Sequence, residues 1–460
     1  MGQKAALQKK KTSSGMQLTE GVIWKQLLLF FFPILFGTFF QQLYNTTDAV
    51  IVGNFVGKAA LAAVGGPAAM VINLLVGFFV GISSGAGVVI AQYYGSGDHT
   101  RLSASVHTAI ALSVIGGAVM MAIGIGIAPW AMRAMHTPDD ILDISIVYMR
   151  IYFLGMIPSM LYNMGSAILR AVGDSRRPLY FLIASCGVNI LLDLVFVAGL
   201  KMGVAGVGIA TVLSQIVSAC MTLVVLIRTK DVYRIHLREI RIHRHLLRNI
   251  LEIGCPAGLQ SSMYSISNII IQTAINGFGT DTVAAWTAYS KVDSIFWMIM
   301  TAYGISVTTF AGQNFGAGKL DRVHKSVRVC LLLSAGTSLF FSFLVLRFGS
   351  VILLLFTHDQ QVLDICMHMI WIVSPTYITY ICIEILSGAC RGCGDSLMPM
   401  LLTCFGVCVL RILWIFIAVP LRPAISTIVF SYPLTWTITS AMFIYYYKKG
   451  KWMSRAYLSR

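Results

Sequence analysis

The stretch LLLFFFPILFGTFFQQLYNTTDAVIV at residues 27–52 is an apolar run long enough to cross a bilayer, and it carries three polar groups that decide how the chain is interpreted. Gln41, Asn45 and Asp48 fall on one face if this run is helical. A carboxylate deep in a bilayer costs on the order of 3 kcal/mol. Such a group is kept where it contacts water, an ion or a partner, so we expect Asp48 to lie inside a helix bundle and to take up and release a cation.

The composition describes a polytopic membrane protein. Of 460 residues, 57% are hydrophobic and only 11% are charged, and the mean hydropathy is +0.78, which is too apolar for a soluble protein of this size. Eight of the ten cysteines lie in apolar runs, where Cys behaves as a small hydrophobe. Cys390 and Cys393 form a single CxxC without a second pair or a nearby His cluster, so we expect thiols with no metal or redox role.

A window of about 19 residues finds twelve apolar segments, each expected to be a membrane-spanning helix. Several exceed the roughly 20 residues that a span requires, which predicts tilted or bent helices. The fold is therefore predicted to be all-α, with spans at residues 26–52, 60–90, 102–128, 143–168, 179–200, 203–228, 249–275, 283–311, 326–348, 364–388, 398–419 and 424–446.

The lysines and arginines between these segments predict the orientation. The N-terminus, the alternate loops and the C-terminus, counted with the adjoining ends of the spans, carry 26 of them, and the other loops counted in the same way carry five. The positive-inside rule then places both termini in the cytoplasm of a protein in the plasma or inner membrane, and most of the net charge of +16 is a topology signal. The most basic stretch, at 228–248, is interpreted as a cytoplasmic linker near anionic lipid rather than as a nucleic-acid site.

That linker separates two copies of one unit. QYYGSGDHTR at 92–101 returns as QNFGAGKLDR at 313–322, and RAVGDSRRP at 170–178 returns as RGCGDSLMP at 391–399, with nine identities at a single offset of 221 residues. Each copy holds six spans, an even number, so the repeat is parallel. We predict two pseudo-symmetric six-helix lobes around a central cavity, with a cytoplasmic tail at 1–23, an N-lobe at 24–228, the linker at 229–248, a C-lobe at 249–447 and a second cytoplasmic tail at 448–460.

The repeated motifs fall in cytoplasmic loops, where their glycines suit tight turns at helix ends. A phosphate-binding loop is disfavoured, because no strand precedes either glycine pair. Their polar residues are interpreted as structural hinges and gates that pin adjacent helix ends together, and this set comprises Gln92, Arg101, Arg170, Gln313, Arg322 and Arg391.

Polar residues that occur in only one of the two repeats are candidates for the functional site. Asn189 and Asp193 lie one helical turn apart in span 5, whereas the offset of 221 gives Leu410 and Trp414 in span 11. Two carboxylates shielded from water repel each other, so a shared proton, or a Na⁺ ion bound by the oxygens of Asp48, Asn189 and Asp193, would stabilise the pair. The alternative is a hydrogen bond of Asp48 with Asn189 or Thr211 that only holds the helices together.

The second half carries polar groups of its own. Gln260, Tyr264, Asn268 and Gln272 form a stripe in span 7, and Glu384 lies one turn from Tyr380 in span 10. Glu384 is interpreted either as a site for a cationic substrate or second ion, or as a structural hydrogen-bond acceptor. The predicted substrate cavity comprises Gln41, Asn45, Gln260, Tyr264, Asn268 and Glu384. Four charged residues in or near spans receive no role, namely Arg150, Lys291, Asp293 and Arg411.

The chain resembles the multidrug and toxic compound extrusion (MATE) family, in its prokaryotic drug-exporting branches, over about residues 24–445. The resemblance rests on PILFGTFFQQLYNTTDAVIVGNFVG at 33–57, the two QxxGxGxxxR motifs, NILLDLVF at 189–196, GVAGVGIATVLSQ at 203–215 and SGACRGCGDSLMPM at 387–400. It implies a twelve-helix antiporter, without cofactor, that expels cationic and often aromatic drugs in exchange for H⁺ or Na⁺ by alternating access.

Carried over by position, the resemblance implies that Asp48 is the acid of the first helix and that Asn189, Asp193 and Thr211 complete the ion site. It also implies that the first helix repacks near Pro33 and Gly37 on protonation. Some Na⁺-linked members have an acid in the seventh helix, and the absence of one here favours H⁺.

Three other classes of protein are alternatives to such an antiporter. A flippase for lipid-linked sugars shares the two-lobe plan but needs more cationic residues in its cavity. A channel is not excluded by the sequence. An enzyme would require a clustered nucleophile, base or metal set, which the sequence lacks. We expect a functional monomer that binds drugs and lipid, without nucleic acid.

Overall fold

The computed structural model describes residues 18–453, so the predicted cytoplasmic tails lie largely outside the described residues. Long helices joined by short turns make up the described chain. Residues up to 228 form α1 Ile23–Phe55, α2 Lys58–Gly65, α3 Pro67–Ser96, α4 His99–Ala134, α5 Asp139–Leu154, α6 Met156–Ala171, α7 Arg176–Asp193 and α8 Gly203–Arg228.

The remaining helices are α9 Arg244–Asn276, α10 Thr280–Gly316, α11 Leu320–Leu353, α12 Gln360–Val373, α13 Tyr377–Gly392, α14 Leu397–Thr403, α15 Leu410–Leu421, α16 Ile425–Val429 and α17 Ser431–Lys449. Short 3₁₀ turns occur at Leu237–Glu239 and Ser374–Thr376. Wider π-helical turns occur at Leu194–Gly199 and Cys404–Val409.

Within residues 18–453, ten helical segments are long and apolar enough to cross a membrane. An eleventh is added by α5 and α6, which together form one span bent by 49° at Gly155. The twelfth predicted span corresponds to α9, which has the required length of 33 residues but is more polar than the others, because the stripe from Gln260 to Gln272 lies along it. The all-helical membrane fold predicted from the sequence is thus confirmed.

The described chain divides into two compact units. The first contains Leu28–Gly258, and the second contains the described part of Leu259–Arg460 together with Gly21–Leu27. The start of α1 is therefore grouped with the second unit and the rest of α1 with the first.

Matched turns in the two halves show the repeat in the backbone. Gly97, after α3, and Gly318, after α10, both have a φ of 72°. Gly173 and Gly394, which precede the next pair of repeated helices, have φ values of 92° and 99°. Left-handed backbone of this kind favours glycine, which explains why these glycines recur at the offset of 221 residues.

In the first unit, α3 and α9 cross at backbone contact through two glycine pairs. A Cβ atom built on Gly85 would lie 2.5 Å from the backbone nitrogen of Gly254, and one built on Gly254 would lie 2.7 Å from the Cα of Ile82. Gly81 faces Gly258 in the same way. Each helix thus presents two glycines four residues apart, a spacing that lets membrane helices approach closely.

Candidate ion and substrate sites

Three helices of the first unit bring the predicted ion-site residues together. Asp48 of α1 faces Asn189 and Asp193 of α7 and Thr211 of α8. Asp48 is 6% exposed, and Asn189 and Asp193 are fully buried. The structure therefore places two carboxylates, an amide and a hydroxyl side by side, and neither carboxylate forms an ion pair with a described residue.

The polar atoms of this cluster lack ordinary partners. Asp48 Oδ1, both carboxylate oxygens of Asp193, both amide atoms of Asn189 and Thr211 Oγ1 are buried without a hydrogen bond of normal geometry to any described residue. Buried polar groups are almost always satisfied, so a set of this size calls for an additional partner. Oxygen ligands of these kinds bind a hard cation or share a proton, but they do not favour an anion.

A shell of tyrosines surrounds the two carboxylates. Tyr44 faces both Asp48 and Thr211, Tyr148 faces both Asp48 and Asp193, and Tyr152 faces Asp48 and Gln215. The rings of Tyr148 and Tyr152 lie 6.3 Å apart between centroids. Sequence reasoning missed this shell, although Tyr44 stands four residues before Asp48 and so shares its helix face.

A π-helical turn begins directly after Asp193. It spans Leu194–Gly199 and ends α7 with wider backbone spacing than an α-helix. Such turns are frequent at functional sites because they rotate the side chains on either side relative to each other. The second half has a π-helical turn at Cys404–Val409, just before Arg411.

The two other polar residues of α1 do not join the Asp48 cluster. Gln41 and Asn45 are exposed, whereas Asp48 on the same helix is buried. Pro33 interrupts the hydrogen-bond ladder of α1, and Gly37, one turn later, is buried against Leu182. The polar stripe predicted from the sequence is therefore split between a buried acid and two exposed amides.

In the second unit the structure brings together Gln260, Tyr264, Glu384 and Arg391. Tyr380 Oη donates to Glu384 Oε2 at 3.1 Å, and Arg391 Nη2 donates to Gln260 Oε1 at 2.9 Å. Tyr264 faces both Tyr380 and Glu384, and Arg391 faces Glu384. Of the predicted cavity residues in this half, only Asn268 stays apart, because it is exposed further along α9.

Asp293 and Arg411, which sequence reasoning left without a role, belong to an aromatic cluster. Tyr377 Oη and Trp297 Nε1 each donate to Asp293 at 2.7 Å, and Tyr289 Oη donates at 3.3 Å. Arg411 is buried, and its guanidinium lies 4.0 Å from the ring centroid of Tyr432. Asp293 and Arg411 face each other electrostatically, so each charge has compensation within the unit. Helix rotation, which periodicity alone does not reveal, determines these contacts.

The predicted gate residues have unlike surroundings in the two halves. Arg101 lies 3.6 Å from Asp98 at the exposed start of α4. Its repeat mate Arg322 instead donates to Gly21 O at 2.9 Å and to Gln26 Oε1 at 3.0 Å, which ties the beginning of α1 to the beginning of α11.

The other repeated polar residues are less exposed. Gln313 is fully buried, and its repeat mate Gln92 is partly buried. Arg170 faces Tyr162. The offset of 221 residues thus predicts the turns in both halves but does not predict equal side-chain partners.

The CxxC thiols are buried. All ten cysteines are free. Burial, with Asp395 nearby, raises the pKa of the Cys393 thiol, so its reactive thiolate form is disfavoured. Cys390 is buried as well.

Comparisons with known proteins agree with the fold and the repeat. The MatE family model matches residues 33–195 and again residues 256–417, once in each half. The probable multidrug resistance protein YoeA of Bacillus subtilis (strain 168) is 30% identical over 392 residues, which cover 84% of each chain. The probable multidrug resistance protein NorM of Thermotoga maritima is 22% identical and covers 95% of each chain.

Solved structures with this fold include a transporter of the MOP superfamily from Pyrococcus furiosus, described with a binding pocket of reverse polarity. It has a TM-score of 0.88 at 22% identity and covers 98% of this chain and 99% of its own. An outward-facing multidrug resistance MATE family transporter has a TM-score of 0.89 at 22% identity, with coverage of 98% and 100%. The chain belongs to the MatE family, as the sequence motifs predicted.

Proposed function

We propose that this protein is a secondary active antiporter that exports lipophilic organic cations in exchange for protons. The buried cluster of Asp48, Asp193, Asn189 and Thr211, which places two carboxylates side by side away from water, carries this proposal. Relatives that are named as multidrug resistance proteins support the export of drugs.

The paired carboxylates provide the coupling. When both are ionised, their repulsion in a site with little water is large, and a proton bound between them removes it. Protonation also removes the charge that attracts a cation, so the proton and an exported cation compete. By linkage, each lowers the affinity of the protein for the other, either directly or through conformation.

Alternating access requires an element that changes shape with the charge of Asp48. Helix α1 carries this acid, and Pro33 leaves the carbonyl of residue 29 without its usual helical hydrogen bond. We propose that α1 bends between Pro33 and Gly37 when Asp48 is neutralised, which changes access to the site. Arg322 holds the start of this helix during the movement through Gly21 and Gln26.

The substrate site is proposed to include the second unit. Glu384 supplies a negative charge, and Tyr380 and Tyr264 lie against it with aromatic rings. A carboxylate beside aromatic faces attracts organic cations through charge and cation–π interactions. Exposed Gln41, Asn45 and Asn268 are proposed to line the path taken by the substrate.

We also propose the oligomeric state, the location and the domain boundaries that the sequence predicts. The protein works as a monomer in the plasma or inner membrane, with both termini in the cytoplasm, an N-lobe at 24–228 and a C-lobe at 249–447. Its surroundings are lipid, without a nucleic-acid partner.

The test is ethidium transport in proteoliposomes under an imposed pH gradient or an imposed Na⁺ gradient. We expect only the pH gradient to drive transport, and we expect Asp48→Asn and Asp193→Asn each to abolish it. Glu384→Gln should weaken ethidium binding while proton coupling for other substrates persists. Asp143→Asn, which removes an exposed acid from α5, is the matched control and should transport like wild type.

Two results would contradict the proposal. If only the Na⁺ gradient drives transport, the coupling ion is Na⁺ held by the same oxygens. If transport is indifferent to both gradients or survives loss of both aspartates, the cluster is structural, and a flippase for lipid-linked substrates becomes the function to test.

A further inference from the structure

Residues 229–243 join α8 to α9, and we refer to them as the strap. They are packed against the first unit rather than extended away from it. Tyr233 and Ile235 are 2% and 1% exposed and belong to an apolar cluster that includes Leu102 and Leu226. The backbone N–H of Ile235 donates to the carbonyl of Leu226 at 3.0 Å. The inner face of the strap is thus part of a helix-bundle core.

Two side chains of α4 hold the strap in place. His107 is 2% exposed, and its Nε2 accepts the backbone N–H of His236 at 3.0 Å. Its Nδ1 then carries the proton and donates to the carbonyl of Ser103 at 2.7 Å. Seven residues further along the strap, Thr108 Oγ1 accepts the backbone N–H of His243 at 3.3 Å.

These bonds also explain a cluster that resembles a metal site. His107, His236 and Glu239 have potential ligand atoms within 4.8 Å of one another. A neutral imidazole has one acceptor nitrogen, and in His107 that nitrogen already accepts a backbone hydrogen bond. The cluster therefore anchors the strap and is not a preformed metal centre.

The outer face of the strap combines cations with apolar side chains. Residues 228–248 contain seven Lys or Arg and two acidic residues. Lys230, Arg234, Arg238 and Arg241 are exposed. Between them, Val232, Leu237 and Ile242 are 40%, 67% and 37% exposed. Over residues 232–236 the buried Tyr233 and Ile235 alternate with exposed neighbours, so docking of the inner face fixes which of these side chains point outward.

We propose that the outer face of the strap binds the headgroups of anionic phospholipids in the membrane that α8 crosses. The strap leaves the end of a membrane-crossing helix, so its side chains start at the level of the bilayer surface. An exposed leucine such as Leu237 is unfavourable in water, but it inserts readily at the boundary between the headgroups and the acyl chains of a bilayer. Cations beside it are attracted to anionic lipid.

The charge pattern favours lipid over a soluble partner. A soluble partner that contacted only the charged residues would leave Leu237 exposed to water. A bilayer surface offers acyl chains to Leu237 and anionic headgroups to the arginines. Each cation near an anionic surface contributes about 1 kcal/mol, or about fivefold in affinity. Removal of two cations is therefore expected to weaken binding roughly 25-fold.

The experiment counts phosphatidylglycerol molecules bound to the full-length protein in detergent by native mass spectrometry, over a range of lipid concentrations. Phosphatidylcholine, a zwitterionic lipid without net charge, is the comparison. The variants are Lys230→Gln/Arg238→Gln, whose side chains are exposed, and Leu237→Ser. The matched control is Lys58→Gln/Lys201→Gln, which removes two exposed charges from the sparsely charged loops of the opposite predicted face.

We expect wild type to retain phosphatidylglycerol in preference to phosphatidylcholine. The double strap variant should bind it roughly 25-fold more weakly, Leu237→Ser severalfold more weakly, and the control like wild type. The proposal is overturned if the strap variants bind as wild type does, if the control loses as much, or if the two lipids bind equally. It is also overturned if a DNA oligonucleotide binds the strap more tightly than phosphatidylglycerol. Transport is not measured, so the result is independent of the antiport proposal.

Discussion

Gly304 of α10 shows how a missing side chain positions a carboxylate. A Cβ atom built on this residue would overlap Glu384 Oε1 and lie 2.9 Å from its Cδ. Glu384 Oε1 occupies this gap in α10, while Glu384 Oε2 accepts a hydrogen bond from Tyr380, one turn earlier in α13. Glycine is thus required here for space, because its backbone is ordinary helix.

Gly304→Ala is therefore expected to displace Glu384 and not to unfold the protein, since the overlapped atoms are the end of a flexible side chain. Loss of a charge-assisted contact of about 1.5 kcal/mol would weaken binding of a cationic dye roughly tenfold. Fluorescence titration with ethidium measures this, and Glu384→Gln should show a similar loss.

Gly336→Ala provides the control, because no atom lies within 4 Å of a Cβ at that position of α11. If Gly304→Ala binds ethidium like Gly336→Ala, Glu384 has no part in substrate binding. If Gly304→Ala fails to fold, the gap serves packing alone.

At the residue scale the sequence predicted acids better than their partners. Asp48, Asn189 and Asp193 were singled out because polar groups in apolar helices are costly, and the structure brings them together. Tyr148, which faces both acids, is 100 residues from Asp48 in the chain and carries no such cost. The sequence around Asp293 likewise does not predict its three hydrogen-bond donors, which come from α10 and α13. Burial cost is a local property, whereas a partner depends on how helices are rotated in the bundle.

At the scale of helices, the crossing of α3 and α9 depends on glycines in both. Gly85 meets the backbone of Gly254, and Gly81 meets that of Gly258. No flexible side chain can yield at such a contact. Extra atoms must push the helices apart, which costs dispersion contacts along the whole crossing.

Gly85→Ala is expected to destabilise the protein by about 2 kcal/mol, in the range typical of overpacked cores. The midpoint of thermal unfolding in detergent should fall by several degrees, with a lower yield of monodisperse protein. Gly87→Ala in the same helix is the matched substitution, because its Cβ would meet Ala167 at an ordinary 3.5 Å. Equal midpoints for the two variants would show that this crossing is loosely packed.

The sequence predicts the positions of the helices, but it does not predict their bends or their π-helical turns. All twelve predicted segments are helical, yet α9 is too polar to be recognised by apolarity alone, and α5 and α6 bend at Gly155. The π-helical turns after Asp193 and before Arg411 left no recognised signal. The strap was expected as a basic linker, and its docking through Tyr233 and Ile235 became visible only in the structure.

At the scale of the whole molecule, the two halves share their backbone turns but differ in their ionisable residues. The glycine turns at 97 and 318 and at 173 and 394 keep nearly the same φ in both halves. The ionisable groups do not repeat. The first unit has two adjacent carboxylates that form no ion pair with the described residues, whereas in the second Arg411 lies near Asp293 and Arg391 lies near Glu384. An uncompensated acid pair in one half and compensated acids in the other favour ion coupling in the first unit.

The orientation of the chain determines which face of the membrane each loop occupies. The 26 lysines and arginines of the termini and alternate loops predict that both ends lie in the cytoplasm. Green fluorescent protein fused after residue 460 should then fluoresce, and alkaline phosphatase fused there should be inactive. Alkaline phosphatase inserted at His136, in the turn between α4 and α5, should be active, because that turn belongs to the weakly charged side. The opposite pattern at both positions would show that the chain has the inverted orientation and that the distribution of its cations does not follow the positive-inside rule.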